Sequence, residues 1–262
     1  MKIFLNVVDL YDLFILDIWG VLHNGKDLFP WTLQTLLTLK KKNKKIALLS
    51  NSPRLIHDSK EHLAKKGLTP DFYDFLMTSG QMGHDFLKTS PFKRAFFIGP
   101  EHEKNILKDL TMDCVEDIET ADFILLTGLN NMPLSSYIDC LTYAKQKKLP
   151  MICSNPDLGA MHGDFYDLSA GSLAFAYEQI GGEVLYFGKP FLNFYEYLFE
   201  ELSKNMVSFS KDKILGVGDN LLTDIKGAIG FGVDSALVLS GITKEEDIST
   251  SLFKPKYIFQ HI

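Results

Sequence analysis

The chain has 262 residues, of which 46% are hydrophobic and 23% charged, and its formal net charge is -6. A chain of this length and composition can bury a large core and has the make-up of a globular protein. The acidic balance gives no electrostatic reason to expect a nucleic acid as partner. No apolar stretch reaches the length of a membrane span, so we expect no membrane partner either.

The cysteines and the N-terminus bear on the compartment. Cys114, Cys140 and Cys153 are too few and too scattered for a disulfide framework or a zinc site, and they fit a reducing compartment. Asp9 and Asp12 interrupt the N-terminal segment too early for it to be a secretory signal. We therefore expect a cytoplasmic protein.

Short apolar runs alternate with stretches of helical spacing along nearly the whole chain. The runs predict strands at 13–16, 46–49, 95–98, 123–126, 151–153, 184–187, 214–217 and 236–239. The stretches between them predict helices at 32–42, 53–66, 136–148, 168–180, 192–204 and 223–231. This alternation indicates an α/β fold with parallel sheets covered by helices. The nearly continuous apolar runs indicate strands that are buried on both faces.

Four of the predicted strands end in residues that suit a phosphate site. In chain order these residues are Asp17, Ser50 with Asn51, Lys189, and Asp219. In open α/β sheets, ligands bind in the crevice outside the carboxyl ends of the strands. We therefore expect these side chains to share one crevice.

The four strand ends are chemically complementary. A carboxylate that attacks a phosphate dianion meets a repulsion of roughly 4 kcal/mol per unit charge pair at 4 Å and an effective dielectric constant near 20. Asp17 and Asp219 offer the hard oxygen ligands that Mg²⁺ prefers, and the metal would offset this repulsion. Ser50 and Asn51 offer hydrogen-bond donors to phosphate oxygens. Lys189 offers a positive point charge to the same oxygens.

Each of these residues alone also has an ordinary explanation. Asp219 could be a turn residue, Ser50 could cap the helix that follows it, and Lys189 could be a solvated loop lysine. The segment Asn155-Pro156-Asp157 follows a predicted strand, but it is equally good turn sequence, and we do not include it in the site. The joint placement at several strand ends favours a functional site.

The order of these motifs resembles the haloacid dehalogenase superfamily. The match runs from Asp17 through Ser50 and Lys189 to Gly218-Asp219-Asn220-x-x-Thr223-Asp224. The long insertion between the second and third motifs resembles the class IIA, or C2-capped, branch. That branch contains nitrophenyl-phosphatase-like, nucleotide-phosphatase-like and pyridoxal-phosphatase-like proteins. The resemblance covers essentially the whole chain.

This resemblance implies a fold and an activity. The fold is a Rossmann-like parallel-sheet core at residues 1–82 and 182–262, with a smaller inserted α/β cap domain at 83–181. The activity is Mg²⁺-dependent hydrolysis of a small phosphorylated metabolite through an aspartyl-phosphate on Asp17. The sequence leaves open whether the substrate is a sugar, nucleotide or cofactor phosphate, and whether the protein forms a homo-oligomer.

The resemblance also implies roles for individual residues. Asp17 and Lys189 would be catalytic. Phosphate would be bound by Ser50, Asn51 and Lys189. The metal would be held by the side chains of Asp17, Asp219 and Asp224 and by the backbone carbonyl of Trp19.

Trp19 departs from the family pattern. Superfamily phosphatases carry a second aspartate at this position, which protonates the leaving group and later activates water. An indole N–H does not titrate usefully, and general acid–base catalysis contributes typically about 10²–10⁴-fold. We therefore expect a weak or selective phosphatase whose rate is reduced least for substrates with good leaving groups. His23 and Asp27 are the nearest candidates for a substitute acid, although ordinary loop roles explain both.

Two other functions stay open. Haloacid dehalogenases carry a tyrosine at the position of Trp19 and displace halide without a metal, so a metal-independent dehalogenase-like hydrolase is one alternative. Asp219 and Asp224 weigh against it because they resemble a retained metal site. The other alternative is a catalytically impaired protein that binds a phosphorylated ligand without turnover.

Overall fold

The computed structural model describes residues 3–162, 165–205 and 208–262. Its strands are β1 (Leu13–Leu16), β2 (Lys45–Ser50), β3 (Phe75–Thr78), β4 (Arg94–Ile98), β5 (Asp113–Val115), β6 (Phe123–Leu126), β7 (Met151–Cys153), β8 (Gly159–His162), β9 (Phe165–Leu168), β10 (Val184–Tyr186), β11 (Ile214–Gly218), β12 (Asp234–Val238) and β13 (Tyr257–Phe259). Its α-helices are α1 (Thr32–Lys41), α2 (Ile56–Lys65), α3 (Ser79–Thr89), α4 (Ile138–Lys147), α5 (Ala170–Gln179), α6 (Leu192–Lys204), α7 (Lys226–Phe231) and α8 (Glu245–Thr250).

Several shorter helical turns connect these elements. A π-helical turn, Leu221–Ile225, leads directly into α7. The 3₁₀ turns are Phe4–Asn6, Val8–Leu10, Pro70–Phe72, Glu101–Leu107, Ile118–Thr120, Leu134–Tyr137 and Lys211–Lys213. Among the described residues, no helix is both long enough and apolar enough to cross a membrane.

The larger sheet has six parallel strands in the order β13-β12-β11-β1-β2-β3. β1 lies at its centre, between β11 and β2, and all four of its residues are buried. Phe14 and Leu16 face a core that includes Leu36 of α1. Leu13 and Ile15 face the opposite core, which includes residues of α6. Helices cover both faces, as the continuous apolar runs predicted.

The smaller sheet has five parallel strands in the order β10-β7-β6-β4-β5. Its core contains Leu141 of α4 and Leu173 and Tyr177 of α5, all of them buried. The strands β8 and β9 form a separate antiparallel pair. The predicted fold class is confirmed: a parallel-sheet α/β core with a second, smaller α/β layer inserted into it.

The strand β10 bears on the expected boundary between core and cap. The sequence placed residues 182–262 in the core, whereas Val184 of β10 pairs with Met151 of β7 in the smaller sheet. The division into core and cap stays a proposal. The pairing moves its second boundary to about residue 187, just before Lys189.

Candidate active site

The residues predicted to form the site line one pocket at the carboxyl edge of the larger sheet. Because β1, β2 and β11 are parallel neighbours, the residues that end or follow them emerge side by side. Lys189 reaches the same place from the smaller sheet, through the loop after β10. Lining the pocket are Asp17, Trp19, Ser50, Asn51, Lys189, Asp219 and Asp224. The structure thus brings all seven together, and their individual roles stay predictions.

Lys189 makes two buried ion pairs in this pocket. Its Nζ lies 2.5 Å from Oδ1 of Asp17 and 2.7 Å from Oδ1 of Asp224. Lys189, Asp17 and Asp224 are only 4%, 8% and 6% exposed. Charges this deeply buried are tolerated only when they are paired and hydrogen-bonded, so the lysine and the carboxylates depend on one another.

Asp219 completes a cluster of three carboxyl groups. One side-chain oxygen from each of Asp17, Asp219 and Asp224 lies within 4.8 Å of the other two. The backbone N–H of Ile242 donates to Oδ2 of Asp219 at 2.7 Å. Three hard oxygen donors around one point fit a divalent cation such as Mg²⁺.

The pKa values in this cluster show a shortage of positive charge. Burial raises the pKa of Asp17 to about 7, with Lys189 opposing and Asp224 reinforcing the shift. Burial also raises the pKa of Asp219 well above its ordinary value, and Asp17 and Asp224 add to it. Burial acts to lower the pKa of Lys189, but Asp17 and Asp224 hold it above its ordinary value. One lysine does not neutralise three buried carboxyl groups, so the residues present fit a metal ion.

Glycines allow the backbone to close around these carboxyl groups. Gly20 has a φ of 81°, and a Cβ at this position would lie 2.2 Å from Oδ2 of Asp219. A Cβ on Gly218 would lie 2.0 Å from Cγ of Asp224. Side chains cannot be tolerated at these two positions without displacing the acidic groups.

Asn51 fixes the position of Lys189. Its Oδ1 accepts a hydrogen bond from the backbone N–H of Lys189 at 2.7 Å, and its Nδ2 donates to the carbonyl oxygen of Lys189 at 2.9 Å. The same Nδ2 donates to Oδ1 of Asp157 at 2.8 Å. The side-chain amide is therefore occupied, and phosphate binding by Asn51, which stays a prediction, falls to its backbone N–H.

Ser50 keeps a donor for the pocket. Its hydroxyl oxygen accepts a hydrogen bond from the backbone N–H of Ser52 at 3.2 Å. This bond uses a lone pair and leaves the hydroxyl proton of Ser50 free to donate. The arrangement suits the predicted contact with a phosphate oxygen.

Asp157 lines the pocket although the sequence analysis left it out. It is half-buried, and burial raises its pKa to about 6 against the opposing effects of Lys189 and Asn51. The signal in the sequence was its place shortly after the predicted strand at 151–153. In the sequence, a turn explained this segment as well as a functional site did. The hydrogen bond from Asn51 and the place of Asp157 in the pocket lining favour the functional site.

The two candidates for a substitute acid do not suit that role. His23 is buried beside Trp19, and its Nδ1 accepts a hydrogen bond from the backbone N–H of Gly25 at 2.9 Å. Burial lowers the pKa of His23 to about 4, and the positive charge of Lys66 adds to this effect. The imidazole is therefore neutral near pH 7 and has no acidic proton to give. Asp27 is exposed and lies outside the described lining of the pocket.

Comparison with known proteins decides the family. A model described as haloacid dehalogenase-like hydrolase matches residues 14–113, and one described as HAD-hydrolase-like matches residues 186–262. The crystal structure of a hydrolase of the haloacid dehalogenase-like family from Brucella suis 1330 is 30% identical, with a TM-score of 0.90. The match covers 100% of this chain and 99% of that one. The chain belongs to the haloacid dehalogenase-like hydrolase family.

Other haloacid dehalogenase-like proteins point to the class IIA branch. The ribonucleotide monophosphatase NagD of Escherichia coli K12 is 28% identical over 255 residues, which cover 95% of both chains. The crystal structure of a 4-nitrophenylphosphatase from Thermotoga maritima is 28% identical, covers 97% of this chain and 96% of that one, and has a TM-score of 0.78. The class IIA resemblance seen in the sequence is confirmed.

The buried carboxyl cluster predicts an unusual effect of Asp219→Asn. Because the pKa of Asp219 is raised on folding, its effect on stability becomes less favourable as pH rises above about 4, the ordinary pKa of an aspartate. Asparagine removes this pH-dependent cost. In EDTA-treated protein, we expect the variant to melt at a higher temperature than the native protein at pH 7.5, by about 2–4 °C for each kcal/mol relieved. The gain should shrink towards pH 4.5.

Thermal melts of both proteins over this pH range measure the effect. Asp113→Asn, at an exposed position on β5, is the matched control and should change little at either pH. A gain for Asp219→Asn that is the same at both ends of the range, or a loss at pH 7.5, would contradict the prediction.

Gly20→Ala should damage the carboxyl cluster specifically. Gly67 also has a positive φ, of 91°, but a Cβ there would meet nothing within 4 Å. Both alanine variants should lose about 1–2 kcal/mol of stability from the left-handed backbone. Only Gly20→Ala should also lose the rise in melting temperature on addition of Mg²⁺, because its methyl group displaces Asp219. An equal rise in both variants would be evidence against metal binding at this cluster.

Proposed function

We propose that this protein is a Mg²⁺-dependent phosphatase that hydrolyses a small organic phosphate monoester through an aspartyl-phosphate on Asp17. The observation that carries the proposal is the buried cluster in which Lys189 pairs with Asp17 and Asp224 while Asp219 lies beside them. The names of similar proteins support it. They include a ribonucleotide monophosphatase, a 4-nitrophenylphosphatase and the sugar-phosphatase AraL of Bacillus subtilis.

The residues at the phosphate end of the pocket have complementary parts in this reaction. A carboxylate oxygen of Asp17 forms a bond to phosphorus as the bond from phosphorus to the leaving oxygen breaks. Lys189 and the hydroxyl of Ser50 stabilise the phosphate oxygens during this step. Water then attacks the acyl phosphate, which releases phosphate and restores Asp17. Mg²⁺, held by the carboxylates of Asp17, Asp219 and Asp224 and the carbonyl of Trp19, would offset the repulsion between nucleophile and phosphate.

Asn51 positions this machinery. Its side-chain amide bonds to both the backbone N–H and the backbone carbonyl oxygen of Lys189, so the ammonium group is held beside the two carboxylates. Positioning of this kind lowers the barrier because the charged group is already in place when the reaction begins.

The carboxyl cluster also separates this proposal from the metal-independent dehalogenase. A reaction without a metal has no use for Asp219, whose buried carboxyl group is not paired with Lys189 and carries a strongly raised pKa. The cluster therefore favours a metal-dependent reaction. The impaired binding protein differs from the proposal only in turnover, which an assay decides.

Trp19 limits which leaving groups depart easily. The family's acid is missing at this position, and His23 is neutral near pH 7. A leaving group that is stable as an anion needs no proton, so it should be least affected. We therefore propose a selective enzyme that retains turnover with good leaving groups such as 4-nitrophenolate.

Asp17→Asn tests the proposed function. We expect native protein with Mg²⁺ to hydrolyse 4-nitrophenyl phosphate and several sugar and nucleotide monophosphates, and EDTA to abolish this activity reversibly. Asp17→Asn should lower kcat by about 10³-fold or more because the nucleophile is lost. Phosphate release measures the rate, and Asp113→Asn serves as the control. No metal-dependent turnover of any ester by folded native protein would refute the proposal and favour the binding protein. Halide release from 2-chloro acids without metal would favour the dehalogenase.

Trp19→Asp tests the effect of the missing acid. The new carboxyl group should raise kcat/KM for poor leaving groups, such as sugar phosphates, by about tenfold or more, and change it little for 4-nitrophenyl phosphate. Trp19→Asn is the matched control, because asparagine has nearly the same shape as aspartate but no titratable proton. It should bring no such gain. An equal gain in both variants would show that removal of the indole ring, and not proton transfer, is responsible. If neither variant gains, either another residue already carries the proton, in which case Asp157 is the first to replace, or the pocket does not accept the change at Trp19.

A further inference from the structure

The pocket also has a second set of polar side chains, apart from the carboxyl cluster. Arg54, just before α2, and Ser59 and His62 on α2 line it from the side of the larger sheet. Glu103, in the 3₁₀ turn Glu101–Leu107, lines it from the side of the smaller sheet. The proposed reaction uses none of these four residues. They form the recognition wall of the pocket.

Arg54 has no anionic partner among the residues that the structure describes. The chain has two arginines, and the other, Arg94, pairs with Asp122 at 2.8 Å. Within the described ranges, no carboxylate oxygen lies within 4.0 Å of the Arg54 guanidinium group. Its charge acts on the pocket nonetheless: after burial, it is the largest cause of the lowered pKa of His62. A half-buried guanidinium group in a pocket, without a protein carboxylate, is suited to an anionic ligand.

A second cation near this wall, Lys66, bonds to neutral carbonyl groups and forms no ion pair in the described part of the chain. The Nζ of Lys66 donates to the carbonyl oxygens of Gly25 at 2.7 Å and Lys26 at 2.5 Å. After burial, its positive charge is the main cause of the lowered pKa of His23, which lines the same pocket. The positive charges of Arg54 and Lys66 therefore both act on this side of the pocket.

Two hydrogen-bonding atoms of the recognition wall are buried without partners in the part of the chain that the structure describes. Ser59 is only 6% exposed, and its Oγ has no hydrogen-bond partner. Oε2 of Glu103 is also buried without a hydrogen bond of good geometry, although the hydroxyl of Thr127 lies close enough to act on this carboxyl group. Buried polar atoms of this kind cost free energy unless a ligand or water bonds to them. Ser59 offers a donor or acceptor, and Glu103 offers an acceptor.

Glu103 lines the same pocket as Arg54 but forms no ion pair with it in the described part of the chain. Burial raises the pKa of Glu103, while a hydrogen bond with Thr127 and the charges of His102 and Arg54 act to lower it. Its carboxyl group suits a ligand hydroxyl better than a ligand cation. The wall as a whole presents a positive charge, a hydroxyl group and a carboxyl oxygen.

We propose that Arg54 selects phosphate monoesters whose leaving group carries a carboxylate, that is, phosphorylated hydroxy acids. Arg54 and Ser59 bind the carboxylate, and Glu103 accepts a hydrogen bond from a neighbouring hydroxyl of the substrate. The inference rests on the proposed function and narrows its substrate class. Arg54 is thus a specificity-determining residue that takes no part in the bond-breaking steps.

Two matched esters test this selection. 3-Phosphoglycerate carries a carboxylate where glycerol 3-phosphate carries a hydroxymethyl group. We expect native protein to favour 3-phosphoglycerate by about tenfold or more in kcat/KM, since a charge-assisted hydrogen bond is worth at least that factor. Arg54→Gln should remove most of this preference. Arg54→Lys should keep part of it, because lysine retains the charge but not the two-pronged geometry.

Lys60→Gln is the matched control. It removes one positive charge from an exposed position of α2 and should leave the ratio of the two kcat/KM values unchanged. A native protein without preference, or an Arg54→Gln variant with the native preference, would overturn the inference. An equal loss of preference in Lys60→Gln would show that net positive charge, and not Arg54 itself, causes the preference. That result would also overturn the inference.

A binding measurement separates the inference from the proposed function. Titration calorimetry with Asp17→Asn protein and Mg²⁺ compares the binding of 3-phosphoglycerate and glycerol 3-phosphate without turnover. The same measurement is made on the double variant that also carries Arg54→Gln. If no ester is hydrolysed but 3-phosphoglycerate binds more tightly and loses this advantage with Arg54→Gln, the phosphatase proposal fails and the role of Arg54 stands. Equal binding of the two esters, beside normal turnover of 4-nitrophenyl phosphate, would refute the role of Arg54 alone.

Discussion

The structure depends on the burial of three carboxyl groups beside a single ammonium group. Removing charges from water is costly, and the cost is recovered only when opposite charges and hydrogen bonds replace the lost hydration. Lys189 does this for Asp17 and Asp224. Among the described residues, the carboxyl group of Asp219 receives a hydrogen bond from the backbone N–H of Ile242 but no ion pair, which leaves the site electrostatically incomplete on its own. That incompleteness ties the fold to its function, because whatever supplies the missing positive charge also stabilises the protein.

The parallel sheet makes this concentration of charge possible. Adjacent parallel strands deliver their carboxyl ends to one edge, so Asp17 and Asp219 meet although they lie 202 positions apart in the sequence. Backbone without side chains then closes around them at Gly20 and Gly218. The rest of the core, buried on both faces of β1, holds this edge in place. Rigid strands and tight glycine turns together fix acidic groups where solvent would otherwise separate them.

Much of this arrangement could be predicted from the sequence, because buried parallel strands have continuous apolar runs as their sequence pattern. β1 and β11 are such runs, and the residues that follow them were the predicted acidic groups. Other features depend on contacts that local sequence does not encode. The helix α3 contains Gly80, which lowers helix propensity but lets the backbone of Pro53 approach closely. The sheet to which β10 belongs could not be read from its three residues either, because a short strand pairs wherever the tertiary fold takes it.

The link between Asn51 and Lys189 has a mechanical consequence. Asn51 fixes the backbone of Lys189 to the end of β2, while β10, which ends at Tyr186, is hydrogen-bonded into the smaller sheet. Phe187 and Gly188 connect these two anchors, and the backbone N–H of Phe187 donates a hydrogen bond to the carbonyl oxygen of Cys153 at 2.9 Å. The backbone beside the ammonium group is therefore fastened to both sheets, so the position of Lys189 is set by the assembled fold and not by a free loop.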